Sequence, residues 1–218
     1  MNNSRNHIYC ISGLGADDKA FGKLAIEGYT LKHLQWITPH KKESLPSYAS
    51  RLAAPITEPH PILLGLSFGG MMAIEIAKQL PVQKVILIST VKTYTEIPQW
   101  MRWAGTLKLN RIIPVQMSRL TEKANDRRMG IKTAEEKKFV EYYRKHADLQ
   151  QVTWAVDQIV NWRNTWVPQV VYHIHGDKDR MFPLKNTQPT HIIKDGTHIM
   201  ILNRAKEVSL CIEEILSQ

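Results

Sequence analysis

The chain is 218 residues long, 43% hydrophobic and 22% charged, a size and balance that suit one globular domain with a substantial core and exclude intrinsic disorder. Its two cysteines, Cys10 and Cys211, argue for buried, unpaired thiols and against a disulfide scaffold. The formal charge of +9 suits an anionic substrate, nucleic acid or membrane surface, but no apolar run is long enough to cross a bilayer. The opening MNNSRNHIYC lacks a signal-peptide pattern, so a cytoplasmic location is expected.

The first 90 residues alternate strand and helix patterns. His7 to Ser12 (HIYCIS) is rich in β-branched and aromatic residues and ends in the turn GLGADD. DKAFGKLAI follows with helical spacing, its N-cap expected at Asp17 or Asp18. Leu31 to Ile37 alternates as a second strand; Ser44 to Ile56 reads as a helix capped by Ser44, with Pro46 accommodated in its first turn. Pro61 to Leu66 reads as a buried strand, Phe68 to Leu80 as a helix and Val82 to Thr90 as another strand. Repeated alternation of this kind predicts an α/β fold, with a parallel sheet covered by helices on both faces.

From Val91 to Val167 the pattern becomes helical and carries five of the six tryptophans: Trp100, Trp103, Trp154, Trp162 and Trp166. Between Trp100 and His146 stand twelve Lys or Arg against five Asp or Glu. Solvated helix faces account for such a surplus as readily as ligand steering does, and aromatics at helical spacing are expected to be mostly core. Strands resume at Pro168 to Asp177 and, more weakly, at Thr190 to Asp195, before a closing helix from Asn203 to Leu216. The expected organisation is a six-stranded core of residues 1–90 and 168–218 with a helical insertion at 91–167.

The corner between the third strand and its helix carries Gly65-Leu66-Ser67-Phe68-Gly69, with Gly70 behind it. This is a GxSxG pattern: small neighbours let helix and strand approach while the serine takes a strained backbone conformation that lifts its hydroxyl above the sheet edge. A hydroxyl attacks a carbonyl only if a base removes its proton, and that base must itself be oriented by an acid. Among nine histidines, His198 in KDGTHIMIL follows the last strand and precedes the final helix, at the sheet edge of Ser67. His173, His175 and His191 fall in strand patterns and suit structural roles, with His175, near a strand end, a lesser candidate. For the acid, HIHGDKDRMFP offers Asp177 and Asp179. Asp179, three residues beyond Gly176 in the loop leaving the strand, is preferred; a turn-forming role is the alternative for either.

With these residues assembled, the chain resembles an α/β-hydrolase: Ser67, Asp179 and His198 occur in the order nucleophile, acid, histidine, each after a strand. The resemblance covers nearly the whole length outside the inserted middle and implies that residues 91–167 form a cap over the active site. It also implies an oxyanion hole made by the backbone N–H groups of Phe68, directly after the serine, and of Leu14, in SGLGADD after the first strand. Ser12 stands where the family usually has histidine, and Leu66 where many members have a polar residue.

The implied activity is hydrolysis of a small carboxylic ester or thioester through an acyl-enzyme, with His198 as base and then acid. Carbon–carbon bond hydrolysis by the same three residues, or a non-catalytic protein that closes its cap on a small ligand, are the alternatives. No cofactor is expected: there is no zinc-binding cluster, and SGLGAD lacks the third glycine of a dinucleotide fingerprint. The expected partner is a small acyl substrate, anionic if the basic segment faces the cleft; no nucleic-acid motif is present.

Overall fold

Six strands build one all-parallel sheet in the order β2-β1-β3-β4-β5-β6: β1 Asn6–Ile11, β2 Tyr29–His33, β3 Ile62–Leu66, β4 Lys84–Ile88, β5 Val171–Gly176 and β6 His191–Ile193. The helices are α1 Leu45–Leu52, α2 Phe68–Ala77, α3 Gln99–Thr106, α4 Glu122–Met129, α5 Ala134–His146, α6 Leu149–Asn161, α7 Met200–Asn203 and α8 Ala205–Ser217. These elements come from a computed structural model that describes residues 6–109 and 122–218. Residues 1–5 and 110–121, with Arg111 and Arg119 of the basic stretch, lie outside the described residues.

The central strands read ILLGL and KVILI because both faces are covered, so every residue of each is buried. Alternate side chains sort into two cores. Tyr9, Ile11, Leu63, Val85 and Leu87 join the residues of α1 and α2, whereas Ile8, Cys10, Leu64, Ile86 and Ile88 join those of α8. Complete burial of a leucine such as Leu63 or Leu64 stabilises the fold by about 1.5–3 kcal/mol relative to leaving it exposed.

The topology also locates a site. After β1 the chain lays β2 on one side, then returns past β1 to lay β3 on the other. Such a reversal opens a crevice outside the carboxyl ends of the two strands, where open α/β sheets bind their ligands.

Several boundaries differ from the sequence reading. DKAFGKLAI forms only a single 3-10 turn, Asp18–Phe21, capped by Asp17, because Gly22 follows Phe21 and closes the turn back onto the Lys19 carbonyl. The second strand begins earlier and ends at His33, leaving Trp36 in the loop beyond it. Ser44 caps α1 as expected, but that helix ends at Leu52. The last helical region is interrupted at Arg204. Cys10 is buried and Cys211 half-buried, and both are unpaired.

The expectation that most tryptophans of the helical segment are core is overturned. Trp162 is buried and Trp154 half-buried, but Trp100, Trp103 and Trp166 are 48%, 61% and 43% exposed. On α3 the apolar stripe that packs inward is carried by Met101 and Gly105, which leaves Trp100 and Trp103 facing out.

Candidate active site

The corner after β3 turns within one residue. Ser67 has φ 52° and ψ −118°, a backbone conformation that costs an L-residue of order 1–3 kcal/mol and persists only when its surroundings enforce it. Here they do so at three points. The Ser67 N–H donates to the Ile88 carbonyl (2.9 Å), the Thr90 hydroxyl donates to the Ser67 carbonyl (2.6 Å), and Gly70 N–H closes back onto that same carbonyl (2.9 Å). Glycine is required on either side by contact with backbone. A Cβ on Gly65 would lie 2.5 Å from the Gly69 carbonyl oxygen, and one on Gly69 would lie 2.1 Å from the Ile11 oxygen.

The serine hydroxyl, half-buried, meets His198. Ser67 Oγ lies 3.0 Å from His198 Nε2, and His198 Nδ1 lies 2.9 Å from Asp179 Oδ2. The consistent proton arrangement has Nδ1–H donating to the carboxylate and Nε2 accepting from the serine hydroxyl. Asp177 is not brought to the histidine; its neighbouring cation is Lys178, at 4.0 Å. The loops carrying Asp179 and His198 touch backbone to backbone, since a Cβ on Gly176 would lie 2.2 Å from the Gly196 oxygen, and Lys178 N–H donates to that oxygen (2.9 Å).

Asp179 is almost fully buried yet well supplied with donors. Its Oδ1 accepts from the N–H groups of Met181 (2.8 Å) and Phe182 (2.9 Å), leaving Oδ2 for His198. Burial pushes its carboxyl up, but the facing His198 and these hydrogen bonds outweigh burial and hold it below the usual carboxylate range.

Two further histidines stand behind the acid. His173 and His175, both fully buried, alternate onto one face of β5. His175 Nε2–H donates to the Phe182 carbonyl (2.7 Å) and lies 3.6 Å from Asp179 Oδ2, while its Nδ1 accepts from His173 Nε2–H (3.1 Å). Burial pushes both imidazoles below their ordinary pKa, His173 by far the more. The period-two spacing is the sequence signal for this pair; the supporting role toward Asp179 is visible only in three dimensions.

The β1 turn completes the surroundings. Ala16 N–H closes onto the Gly13 carbonyl (3.0 Å), and Gly15, at φ 69°, fills the position of a type II turn that needs a positive φ. Gly13 lies against the serine, for a Cβ there would be 3.6 Å from Ser67 Cβ. Leu14 follows Gly13 and Phe68 follows Ser67, and neither N–H donates to a backbone carbonyl among the described residues. Beside this turn a cavity of about 230 Å³ is lined by Gly15, Trp36, Tyr143 and Gln151, with Asp17 and Asp148 but no Lys or Arg.

The helical segment meets the surroundings of the site at several points: the Tyr143 O–H donates to Asp17 (2.6 Å), a Cβ on Gly15 would lie 3.2 Å from Ala147 Cβ, and the Trp154 ring stands edge-on to Phe68 with centroids 6.1 Å apart. Gly130, after α4, has φ 78°, and a Cβ there would lie 2.4 Å from the Cβ of Thr197, the residue before His198. Among the described residues no group of three or more His, Cys, Asp or Glu is arranged to hold a metal ion, and no helix is long and apolar enough to cross a membrane.

No protein-family model matches the chain, and neither does any curated protein. Solved structures do. The chain is similar to a lipase-esterase related protein from Clostridium acetobutylicum, at 18% identity and a TM-score of 0.67, over 98% of this chain and 96% of that one. It is similar to an esterase from Exiguobacterium antarcticum at 14% identity and a TM-score of 0.68, over 98% and 92% of the two chains. A bromoperoxidase from Bacillus anthracis aligns at 16% identity and a TM-score of 0.65, over 99% and 93%. The chain has the α/β-hydrolase fold. The α/β-hydrolase sheet accounts for the position of the strained serine, since in this fold the sharp strand-to-helix turn stands at the carboxyl edge where the crevice opens.

Proposed function

We propose that the protein is a serine hydrolase of small carboxylic esters or thioesters, working through an acyl-enzyme. The observation that carries this reading is the unbroken hydrogen-bond series from Ser67 Oγ through His198 to Asp179, at 3.0 and 2.9 Å. Ser67 Oγ attacks the substrate carbonyl carbon as His198 Nε2 takes its proton; Asp179 stabilises the imidazolium that forms without itself being protonated. The former carbonyl oxygen, now an anion, accepts from the N–H groups of Leu14 and Phe68, which strengthens as charge develops. His198 then returns the proton to the leaving alcohol or thiol, the carbonyl re-forms, and the acyl group remains on Ser67. Water, deprotonated by His198, attacks this ester, and Ser67 leaves with the proton as the acid product departs.

Residues 91–167 act as the cap in this reading, supported by the Gly130–Thr197 contact beside His198. Tyr142, Tyr143 and His146 of that segment line the cavity by the β1 turn, together with Asp17 and Asp148.

The test is covalent labelling by a fluorophosphonate, read as intact mass, alongside turnover of p-nitrophenyl esters. Wild type should label once per chain and turn over ester. Ser67→Ala should abolish labelling and lower turnover about 10⁴-fold or more, with His198→Ala close behind. A folded wild-type protein that neither labels nor hydrolyses any ester would overturn the proposal in favour of ligand binding without catalysis.

A further inference from the structure

Ser12 is fully buried, and its one hydroxyl is used in both directions. Its Oγ–H donates to the Ala16 carbonyl (2.6 Å), across the turn that carries Leu14, and its Oγ accepts from the Trp36 indole N–H (2.9 Å). Trp36 reaches the other side of the site as well. Its ring is stacked on Phe68, centroids 5.5 Å apart and planes 16° from parallel. The two residues assigned as oxyanion donors thus sit on segments joined by one indole: its N–H ties the β1 turn through Ser12, and its face rests on the first residue of α2.

Backbone contact alone does not fix this pairing. Gly69 presses on the Ile11 and Ser12 carbonyls and so sets how close α2 comes to the end of β1; the turn from Gly13 to Ala16 is packed against Ser67 and Ala147, and the hydrogen bonds that span it fix its internal geometry. The Ser12 hydroxyl is the only side chain on the described residues that bonds across this turn, and the Trp36 N–H gives that hydroxyl its direction. A rotated or lost hydroxyl lets the turn relax, and an oxyanion donor contributes only when its N–H already points at the place where charge appears.

We propose, on the basis of the hydrolase reading, that Trp36 is a positioning residue that aligns both oxyanion donors, Leu14 through Ser12 and Phe68 by direct stacking. It touches no reacting atom. Its effect should fall on transition-state binding and leave ground-state substrate binding alone.

Trp36→Phe keeps an aromatic face on Phe68 and deletes the N–H; Ser12→Ala deletes the hydroxyl; Trp36→Leu removes stack and N–H together. For each, kcat and KM on a p-nitrophenyl ester, the inhibition constant of a trifluoromethyl ketone and the melting temperature should be measured. The ketone adds Ser67 to form a hemiketal whose oxyanion occupies the same hole, so it reports donor alignment where a structural effect would not. Trp36→Phe and Ser12→Ala should each lower kcat about tenfold to a hundredfold with KM within about twofold, and weaken the ketone by the same factor. Combined, they should cost little more than either alone, and Trp36→Leu should cost more than Trp36→Phe. Wild-type kcat and ketone affinity in folded Trp36→Phe and Ser12→Ala would overturn this inference while leaving the hydrolase reading intact. A drop in kcat with unchanged ketone affinity would also overturn it. A wild type that neither turns over ester nor binds the ketone would remove both.

Discussion

At the corner after β3, Gly65 and Gly69 press on backbone and Gly70 on the Thr90 side chain, none with room for a methyl group; every residue of α2 is buried, and the serine is held in a conformation it would not choose. Between β4 and β5 the helices meet the core through scattered side chains, α4 buries none of its residues, and three tryptophans stand in solvent. The difference divides the labour of the molecule. On the proposed hydrolase reading, the groups that hold a reacting atom within fractions of an ångström are those whose contacts over-determine the chain, and the proposed cap is free to vary its surface without disturbing them.

The largest expected effect lies at the corner. Gly69→Ala would bring its Cβ to 2.1 Å from the Ile11 oxygen and 2.5 Å from the Ser12 oxygen, with neither a flexible side chain nor open space to absorb it. Relief requires moving α2 off the sheet, so urea unfolding should show a loss above about 4 kcal/mol, or no folded protein should be recovered. Trp103→Ser, on the exposed face of α3, should change stability by no more than about 0.5 kcal/mol. Comparable losses in the two variants would erase the contrast between the regions.

Gly130→Ala probes a contact between the regions beside the histidine. The left-handed backbone and the Thr197 side chain 2.4 Å from the added Cβ should cost about 1–3 kcal/mol by denaturant titration. Because Thr197 adjoins His198, kcat should fall further than stability implies, about tenfold or more. Full turnover from a destabilised Gly130→Ala protein would show that the helical segment rests on the site without helping to hold it.

How much of this is legible in the sequence follows the same division. The strands of the core are short apolar runs bounded by turns, and GLSFG announces its own corner, so the sheet, Ser67 and His198 can be read directly, whereas sequence only prefers Asp179 to Asp177 and the approach of its carboxylate to His198 separates them. DKAFGKLAI misleads because helical spacing over nine residues is weaker than the Gly22 and loop contacts that end it after one turn. The tryptophans of α3 mislead because periodicity finds a stripe but not which stripe packs; Gly105, whose added Cβ would lie 2.4 Å from the Val160 oxygen, decides that by letting α6 come close on its own side. The partnership of Ser12 with Trp36 has no sequence signal at all. Twenty-four positions separate two residues that meet only because β1 and β2 lie side by side.

The smallest expected effect tests the core's electrostatics. His173 and His175 are neutral in the folded protein because burial lowers their pKa, and His173 is lowered well beyond His175. Above the ordinary imidazole pKa of about 6.5 both folded and unfolded chains hold these rings neutral and pH has no leverage through them. As pH falls below that value the unfolded chain takes up a proton that folded His173 refuses, so the unfolding free energy declines by up to about 1.4 kcal/mol per pH unit for each such ring, until the folded ring is protonated too. The contribution is present at neutral pH and lost toward acid. His173→Gln cannot titrate, and its side-chain amide nitrogen, placed where Nε2 stands, can still donate toward His175 Nδ1. Chemical unfolding at pH 7, 6 and 5 should therefore give a shallower decline in the variant, by about 1 kcal/mol per pH unit below pH 6. Asp179 acts in both proteins and cancels in the difference. Parallel declines would mean that the folded protein admits a proton at His173 after all, and that the core behind the acid is less closed than the corner that carries the serine.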